Sequence, residues 1–170
     1  MSNRPIVLIG AGGIVESAHL PAYQKAGLKV IGITDLDQQK ARNIAKKFNI
    51  PNVYDSVHQA TIHAPEHAIF DIAIPASGLV DLLPTFRNGS MLLIQKPMGE
   101  NIKQARQIKQ ICRQKDFAAN INFQMRFAPQ VTEARKMISR GTIGKLHDIE
   151  MRVTVYTPWH LWDFLEKCDR

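Results

Sequence analysis

A glycine-rich stretch near the amino end is the strongest candidate for chemistry. It runs from Gly10 to Val15, directly after an apolar segment and before residues that can start a helix. Gly10 permits a tight turn, and Gly12 lets the backbone approach a pyrophosphate that rests on helix amides. The third position of this fingerprint is usually Gly or Ala, so Val15 predicts a shifted helix or looser packing. The predicted contact residues for the phosphates are Gly10, Ala11, Gly12, Gly13 and Ile14.

An aspartate twenty residues after Val15 supports a dinucleotide as the ligand. Asp35 ends a second apolar segment, where a carboxylate can accept hydrogen bonds from both ribose hydroxyls of an adenosine. A carboxylate would also repel a 2′-phosphate, so Asp35 and Asp37 favour NAD over NADP. In the alternative interpretation, the glycines form only a tight turn and Asp35 caps the next helix.

Two further apolar segments end in candidate residues. Pro75 and Ala76 follow the third segment, where their backbone can contact the cofactor. Gln95 ends the fourth segment and precedes Lys96, whose ammonium can polarise a substrate hydroxyl or stabilise its alkoxide as hydride leaves. Pro97 could be cis and fix the direction of the lysine. The alternative is a lysine at the end of a strand that points to water.

The elements that must position these residues alternate along the chain. Strands are predicted over Pro5–Gly10, Lys29–Asp35, Val53–Tyr54, Ala68–Ile74, Met91–Gln95 and Ala118–Phe123. Helices are predicted from Ile14, over Asp37–Phe48, from Ser56 to about His63, over Leu79–Phe86 and over Asn101–Lys115. Ser56 is the candidate N-cap of the third of these helices. This alternation predicts an α/β fold with a doubly wound parallel sheet of Rossmann type.

The pattern changes after Phe123. Pro129–Arg140 predicts a helix, and the alternating segment Leu146–Tyr156 predicts a strand with one open face, the start of a different sheet. On the predicted helix Asn101–Lys115, the predicted inward residues are Ile102, Ala105, Ile108 and Cys112. On the predicted helix Pro129–Arg140, they are Val131, Ala134, Met137 and Ile138.

Composition disfavours several other classes of protein. The chain carries 22 Lys and Arg against 15 Asp and Glu, which gives a net charge of +7. No aromatic residues interleave with the basic ones, as a nucleic-acid site would require. The basic residues therefore favour solvated helix faces over a nucleic-acid site. Its 2 cysteines form no CxxC pair. The spacing of His58, His63 and His67, interrupted by Pro65, disfavours a metal site. Without an apolar run of about 20 residues or a signal peptide, no membrane association and a cytoplasmic location are expected.

Together these motifs resemble the glucose–fructose oxidoreductase, inositol dehydrogenase and MocA family, abbreviated Gfo/Idh/MocA. The ordered set is Gly10–Gly13, His19–Pro21, Asp35, Gln95–Pro97, Asn122–Pro129 and Ile143–Lys145. The resemblance implies a nicotinamide-dependent oxidoreductase that acts on sugars, cyclitols or related alcohols. It also implies an N-terminal Rossmann domain and a C-terminal open-sheet domain, which supplies substrate contacts and often the dimer interface.

The resemblance also assigns roles to residues of this chain. The implied contacts are Gly10, Gly12, Gly13 and Ile14 with the pyrophosphate, Asp35 with the ribose, Pro75 and its neighbours with the nicotinamide ribose, Lys96 with the substrate and its proton, and Arg126 with the cofactor and substrate edge. Gln95 stands where the family usually has Glu, so the charge next to Lys96 in the sequence differs from that of the family. Gln95 and Lys96 are both predicted cofactor contacts.

The resemblance covers the first part of such an enzyme. We expect residues 1–122 to be the NAD-binding Rossmann domain and residues 123–170 the truncated start of an open-sheet α+β domain for substrate binding and dimerisation. The family's catalytic aspartate and histidine would follow Arg170. The chain should therefore bind NAD, turn over weakly or not at all, and form homo-oligomers through its second domain. A non-catalytic NAD-binding sensor or partner-binding module remains an alternative, and the net charge alone suggests a nucleic-acid-associated protein.

Overall fold

The computed structural model describes residues 4–154, in which six strands and six α-helices alternate. The strands are β1 (Ile6–Ile9), β2 (Val30–Thr34), β3 (Asn52–Val53), β4 (Ile69–Ile72), β5 (Met91–Gln95) and β6 (Ala118–Asn122). The helices are α1 (Leu20–Lys25), α2 (Gln38–Phe48), α3 (Val57–His63), α4 (Leu79–Leu82), α5 (Ile102–Gln114) and α6 (Pro129–Ser139). None of these helices has the length and apolar character needed to cross a membrane.

The six strands form one parallel sheet in the order β3-β2-β1-β4-β5-β6. The chain begins in the middle of the sheet, moves outward to β3, and then returns to β4 on the other side of β1. As a result, Leu8 of β1 lies opposite Ile33 of β2 and Asp71 of β4. This order is that of a dinucleotide-binding sheet, and it confirms the predicted Rossmann-type doubly wound fold.

Both faces of the sheet are buried, which explains the continuous apolar runs of its strands. On one face, the rings of Phe70 on β4 and Phe86 meet edge to face with 5.1 Å between their centroids, and both side chains are at most 1% exposed. On the other face, Leu8 and Ile33 share a buried cluster with Leu20 of α1. Burial of each such side chain stabilises the fold by about 1.5–3 kcal/mol.

Side-chain caps determine where three of the helices begin. Asp37 accepts hydrogen bonds from the amides of the second and third residues of α2, at 3.0 and 3.1 Å. Ser56 accepts one from the third residue of α3 at 3.1 Å, and Asn101 accepts one from the third residue of α5 at 3.0 Å. Each oxygen pairs with an amide that the first helical turn leaves without a partner. The predicted cap at Ser56 is confirmed.

A second unit follows Phe123 and begins at Gln124. It contains α6, but residues 146–154 pair with no strand among the described residues, so the predicted strand over Leu146–Tyr156 is wrong for that range. Val155 and Tyr156, the last two residues of that predicted strand, lie outside the described range. Alternation of side chains sets which face a strand would present, but the strand itself requires hydrogen bonds to a neighbouring strand.

The inward face predicted for α6 is also wrong. Val131 is half-buried, whereas Ala134, Met137 and Ile138 are exposed. Within its own unit, the described residues provide a short 3-10 turn beside this helix and no sheet for its apolar stripe to cover.

The burial of α5 leads to a stability prediction. Ile108 is 0% exposed, whereas Ile102, predicted to face inward, is 69% exposed because it begins the helix beyond the sheet. Ile108→Ala should therefore lower the free energy of unfolding by about 2–5 kcal/mol. The matched control Ile102→Ala should change it by less than about 0.5 kcal/mol. Urea denaturation measures both values, and equal losses would contradict the orientation of α5.

Candidate functional site

Four strand ends bring the predicted site residues to one edge of the sheet. Asp35 follows β2, Gly10 follows β1, Pro75 comes soon after β4, and Lys96 follows β5. Because these neighbouring strands are parallel, their carboxyl ends lie at the same edge. The order of the strands reverses between β1 and β4, which is the point where open α/β sheets bind ligands.

Two glycines of the loop after β1 differ in what the protein requires of them. Gly10 has φ +110°, and a Cβ there would lie 2.5 Å from the carbonyl oxygen of Ala73. This glycine therefore lets the end of β1 approach the chain after β4. Gly12 shows no positive φ, and a Cβ there would meet nothing within 4 Å. The space above Gly12 is a place that a bound molecule could fill, so the loop fits a dinucleotide pyrophosphate.

Val15 occupies the third position of the glycine fingerprint, for which the sequence predicts looser packing or a shifted helix. Val15 is 0% exposed, so the expectation of looser packing at this position is wrong. The chain from Val15 to His19 forms a π-helical turn, and the expectation of a shifted helix stays a prediction. The amides of Gly12, Gly13 and Ile14 have no backbone acceptor among residues 4–154 and remain available to a ligand.

Asp35 ties the glycine loop to the start of α2. Its Oδ2 accepts a hydrogen bond from the amide of Ala11 at 2.6 Å, and its Oδ1 accepts one from the amide of Asp37 at 2.7 Å. Asp37 caps α2, so the alternative role of Asp35 as helix cap does not apply. A carboxylate has about four lone-pair sites, and two of them remain for hydroxyl donors such as those of a ribose.

A cavity beside the loop contains residues that the sequence analysis did not identify. It has a volume of about 400 Å³ and is lined by Ala11, Gly12, Gly13, Glu16, Lys40, Asn43, Ile44 and Lys47. Lys47 crosses from α2 to form an ion pair with Glu16 at 2.7 Å. The polar stripe of Lys40, Asn43 and Lys47 on α2 was the sequence feature that could have indicated this cavity lining. The same stripe is typical of a helix face exposed to water, so it does not distinguish the two.

The ends of β4 and β5 contribute the remaining predicted residues. Pro75 is exposed and Ala76 is half-buried, at the start of a 3-10 turn. Gln95 is half-buried, and its Oε1 is buried without a hydrogen-bond partner among the described residues. Lys96 is exposed, and its peptide bond to Pro97 is cis, as considered from the sequence. The Lys96 ammonium is therefore accessible at the edge of the sheet that carries the glycine loop.

Arg126 belongs to the second unit. It is exposed in the 3-10 turn Gln124–Phe127. Its contact with the cofactor and substrate edge stays a prediction.

The histidines considered as metal ligands have other surroundings. The ring of His63 stacks on Tyr54 at 6.4 Å between centroids. His58 and His67 are exposed, and no group of three or more His, Cys, Asp or Glu in residues 4–154 is arranged to hold a metal.

Cys112 is half-buried, and burial raises the pKa of its thiol.

The contrast between the glycines generates a prediction that separates folding from binding. Gly10→Ala should destabilise the protein by more than about 2 kcal/mol, because the added Cβ would clash with backbone and the φ angle is strained. Gly12→Ala should change stability by less than about 0.5 kcal/mol but weaken NADH binding at least tenfold, because the methyl group occupies the space of the ligand. Thermal unfolding and fluorescence titration measure the two effects. Unchanged NADH affinity in Gly12→Ala would contradict the placement of the ligand.

Comparison with known proteins identifies the family of this chain. Residues 4–123 match the family GFO_IDH_MocA, an oxidoreductase family with an NAD-binding Rossmann fold. The trans-1,2-dihydrobenzene-1,2-diol dehydrogenase of Xenopus tropicalis is 28% identical over 145 residues, which are 84% of this chain and 43% of that protein.

Crystal structures of two other proteins share the fold. An NAD binding oxidoreductase from Klebsiella pneumoniae has a TM-score of 0.73 at 24% identity, covering 84% of this chain and 40% of that chain. The WlbA dehydrogenase from Bordetella pertussis, solved in complex with NADH and UDP-GlcNAcA, has a TM-score of 0.68 at 16% identity, covering 82% and 43%. This chain thus spans less than half the length of each of these proteins. Because the family match extends over more than half of the chain, the protein belongs to the Gfo/Idh/MocA oxidoreductase family, with its NAD-binding Rossmann fold.

Proposed function

We propose that this chain is the cofactor-binding part of an NAD-dependent oxidoreductase that transfers hydride between a sugar, a cyclitol or a related alcohol and the nicotinamide. The observation that carries the proposal is the loop at Gly12, where the backbone is open and the Asp35 carboxylate lies beside it. Pyrophosphate would bind to the amides of Gly12, Gly13 and Ile14.

The preference for NAD over NADP is argued from the charge beside the ribose. Asp35 holds a carboxylate at the end of β2, where it can accept hydrogen bonds from ribose hydroxyls. A 2′-phosphate at this position would meet that negative charge and that of Asp37, which caps α2. Lys40 is 66% exposed and lies 4.0 Å from Asp37, whereas Asp35 forms no ion pair among residues 4–154, so the charge that disfavours a 2′-phosphate is mainly that of Asp35.

Lys96 is the residue proposed to act on the substrate. When bound, the nicotinamide supplies the hydride acceptor or donor. The Lys96 ammonium would donate a hydrogen bond from Nζ to the substrate oxygen and stabilise negative charge there as the hydroxyl proton leaves. Gln95, directly before Lys96 in the chain, carries a neutral amide where a carboxylate is usual in the family. The resemblance implies that a histidine of the second domain, with an aspartate beside it in the family, would accept that proton.

The substrate class is argued from the relatives. One is a diol dehydrogenase, and another structure of the same fold contains NADH with UDP-GlcNAcA. Both names describe hydroxyl-bearing molecules, which suit a lysine that binds an oxygen.

The proposal extends to the rest of the chain. Residues 123–170 would begin a substrate and dimerisation domain, with Arg126 reaching the cofactor edge and homo-oligomers forming through that domain. We also propose that the protein acts in the cytoplasm and binds neither nucleic acid nor membranes.

A non-catalytic NAD-binding sensor is the second candidate, because the open loop at Gly12 and the Asp35 carboxylate account for nucleotide binding without a catalytic step. Steady-state turnover with candidate polyols, followed by NADH absorbance, separates the two. Turnover that Lys96→Met abolishes supports the enzyme. Saturable NADH binding with no turnover for any polyol favours the sensor when the protein assayed includes a complete second domain, which the proposed enzyme requires.

The test of cofactor choice is a titration with NADH and NADPH. The chain should bind NADH at least tenfold more tightly than NADPH, because Asp35 attracts hydroxyls and repels phosphate. Asp35→Asn should reduce that ratio at least threefold by removing the charge while retaining an acceptor oxygen for Ala11.

The matched control for this titration is Glu66→Gln. It makes the same carboxylate-to-amide change at an exposed residue before β4, on the opposite edge of the sheet, and should leave the ratio unchanged. Tighter binding of NADPH by the unmodified chain would contradict the proposed cofactor. Binding of neither nucleotide would contradict the proposed function.

A further inference from the structure

Another cavity lies between α5 and β6, and none of the residues proposed to hold the cofactor lines it. It has a volume of about 360 Å³. Its floor is apolar and is lined by Ile94, Met98, Phe117, Ala119 and Ile121. Ala119 and Ile121 are two residues apart on β6, so their side chains share one face of the sheet. On that face they pack on the same apolar cluster as Ile108 of α5.

The place of β6 in the sheet leaves this cavity open as a groove. β6 is the last strand in the order and pairs with β5 on one side, so no strand of residues 4–154 lies on its other side. Ala119 and Ile121 are half-buried, whereas their partners on β5, Leu92 and Ile94, are at most 2% exposed. The apolar face is therefore covered at β5 and incompletely covered at β6.

A row of basic side chains follows α5 beside this groove. Arg106, Lys109 and Arg113 are spaced by three and four residues, which places them on one side of the helix. All three are exposed, and Lys109 and Arg113 also line the groove. Ile102 lies four residues before Arg106 in the same row and is 69% exposed. The basic stripe is defined as Ile102, Arg106, Lys109 and Arg113.

The charge of the basic stripe is not neutralised within the part of the chain that the structure describes. α5 contains no Asp or Glu, and its three cations form no ion pair in residues 4–154. Asp116, which lines the groove, follows the helix and pairs with none of them. Like charges at this spacing destabilise a helix, and the helix dipole offsets this only for cations in the last turn, such as Arg113.

We infer that the groove and the basic stripe bind an acidic amphipathic helix of a partner protein. Apolar residues of that helix would enter the groove, and its carboxylates would pair with Arg106, Lys109 and Arg113. Charge complementarity selects this occupant, because an apolar groove alone accepts any apolar segment, whereas three cations along its edge attract carboxylates and repel basic segments. The stripe extends over about three helical turns, a length that suits recognition of one helix face by another.

The apolar groove favours a peptide over a nucleic acid as the partner. Phosphates require the cations of the basic stripe but not an apolar surface beside them. Bases of a single strand require exposed aromatic rings for stacking, and the aromatic residue that lines the groove, Phe117, is half-buried. From the sequence alone these cations indicated a solvated helix face, and the groove beside them is what distinguishes a docking surface.

The experiment measures the fluorescence anisotropy of a labelled synthetic peptide of about 14 residues, with leucine at helical spacing and glutamate at the other positions. We expect saturable binding to the full chain, weakened about fivefold or more between about 50 and about 500 mM salt. A peptide with serine in place of each leucine should bind about tenfold more weakly, because it retains the charge but cannot fill the groove. A peptide with lysine in place of each glutamate should not bind.

The variant that tests the cations is Lys109→Gln combined with Arg113→Gln, which should weaken binding of the leucine and glutamate peptide about fivefold or more. The matched control is Arg42→Gln combined with Lys46→Gln. These two residues are also exposed, lie four apart on α2 and form no ion pair in residues 4–154, so affinity should stay within about twofold. Thermal unfolding checks that both variants remain folded.

Several results would overturn the inference. Absence of saturable binding does so without any variant, and so does equal affinity for the serine peptide, because the groove would then contribute nothing. An equal loss of affinity in the control variant would show attraction by net charge alone. Stronger binding of a single-stranded oligonucleotide would assign the surface to nucleic acid, and a dimer that Lys109→Gln with Arg113→Gln disperses would assign it to a second copy. The assay contains no dinucleotide, so its outcome is independent of the proposed function.

Discussion

The carboxylate of Asp35 holds together the two segments on which the proposed site depends. One oxygen accepts the amide of Ala11 in the glycine loop at 2.6 Å, and the other accepts the amide of Asp37 at the start of α2 at 2.7 Å. These two bonds join the loop after β1 directly to the start of the helix after β2. Charge-assisted hydrogen bonds of this kind are stronger than neutral ones, so one side chain determines the shape of the edge that a nucleotide would meet.

Close backbone approach and buried polar bonds provide the rest of the support. Gly10 brings the end of β1 against the carbonyl of Ala73 after β4, at the point where the order of the strands reverses. The bonds from His19 and Tyr23 to Asp71 attach the helix after the loop to β4. The loop is thus held through Asp35 on one side and through β4 on the other, while its amides at Gly12 to Ile14 remain without backbone acceptors in the described range.

Local sequence patterns predicted most of this fold because a parallel sheet buried on both faces produces continuous apolar strands. The glycine stretch, Asp35 and Lys96 were identifiable because each follows such a strand. The hydrogen bond between His19 and Asp71 was not identifiable from the sequence, because the two residues are 52 positions apart. Each side chain can form hydrogen bonds with many other groups, so no local pattern pairs these two. Likewise, the alternation after Leu146 indicated a strand but contained no information about a neighbour.

The central claim is that a dinucleotide binds on the glycine loop beside Asp35, and hydrogen exchange measured with and without saturating NADH tests it most directly. We predict slower exchange at Gly12, Gly13 and Ile14 and at the start of α2, because a bound pyrophosphate would accept hydrogen bonds from the loop amides. Saturable NADH binding with unchanged exchange in this loop, and protection confined to α5 and β6, would contradict the account.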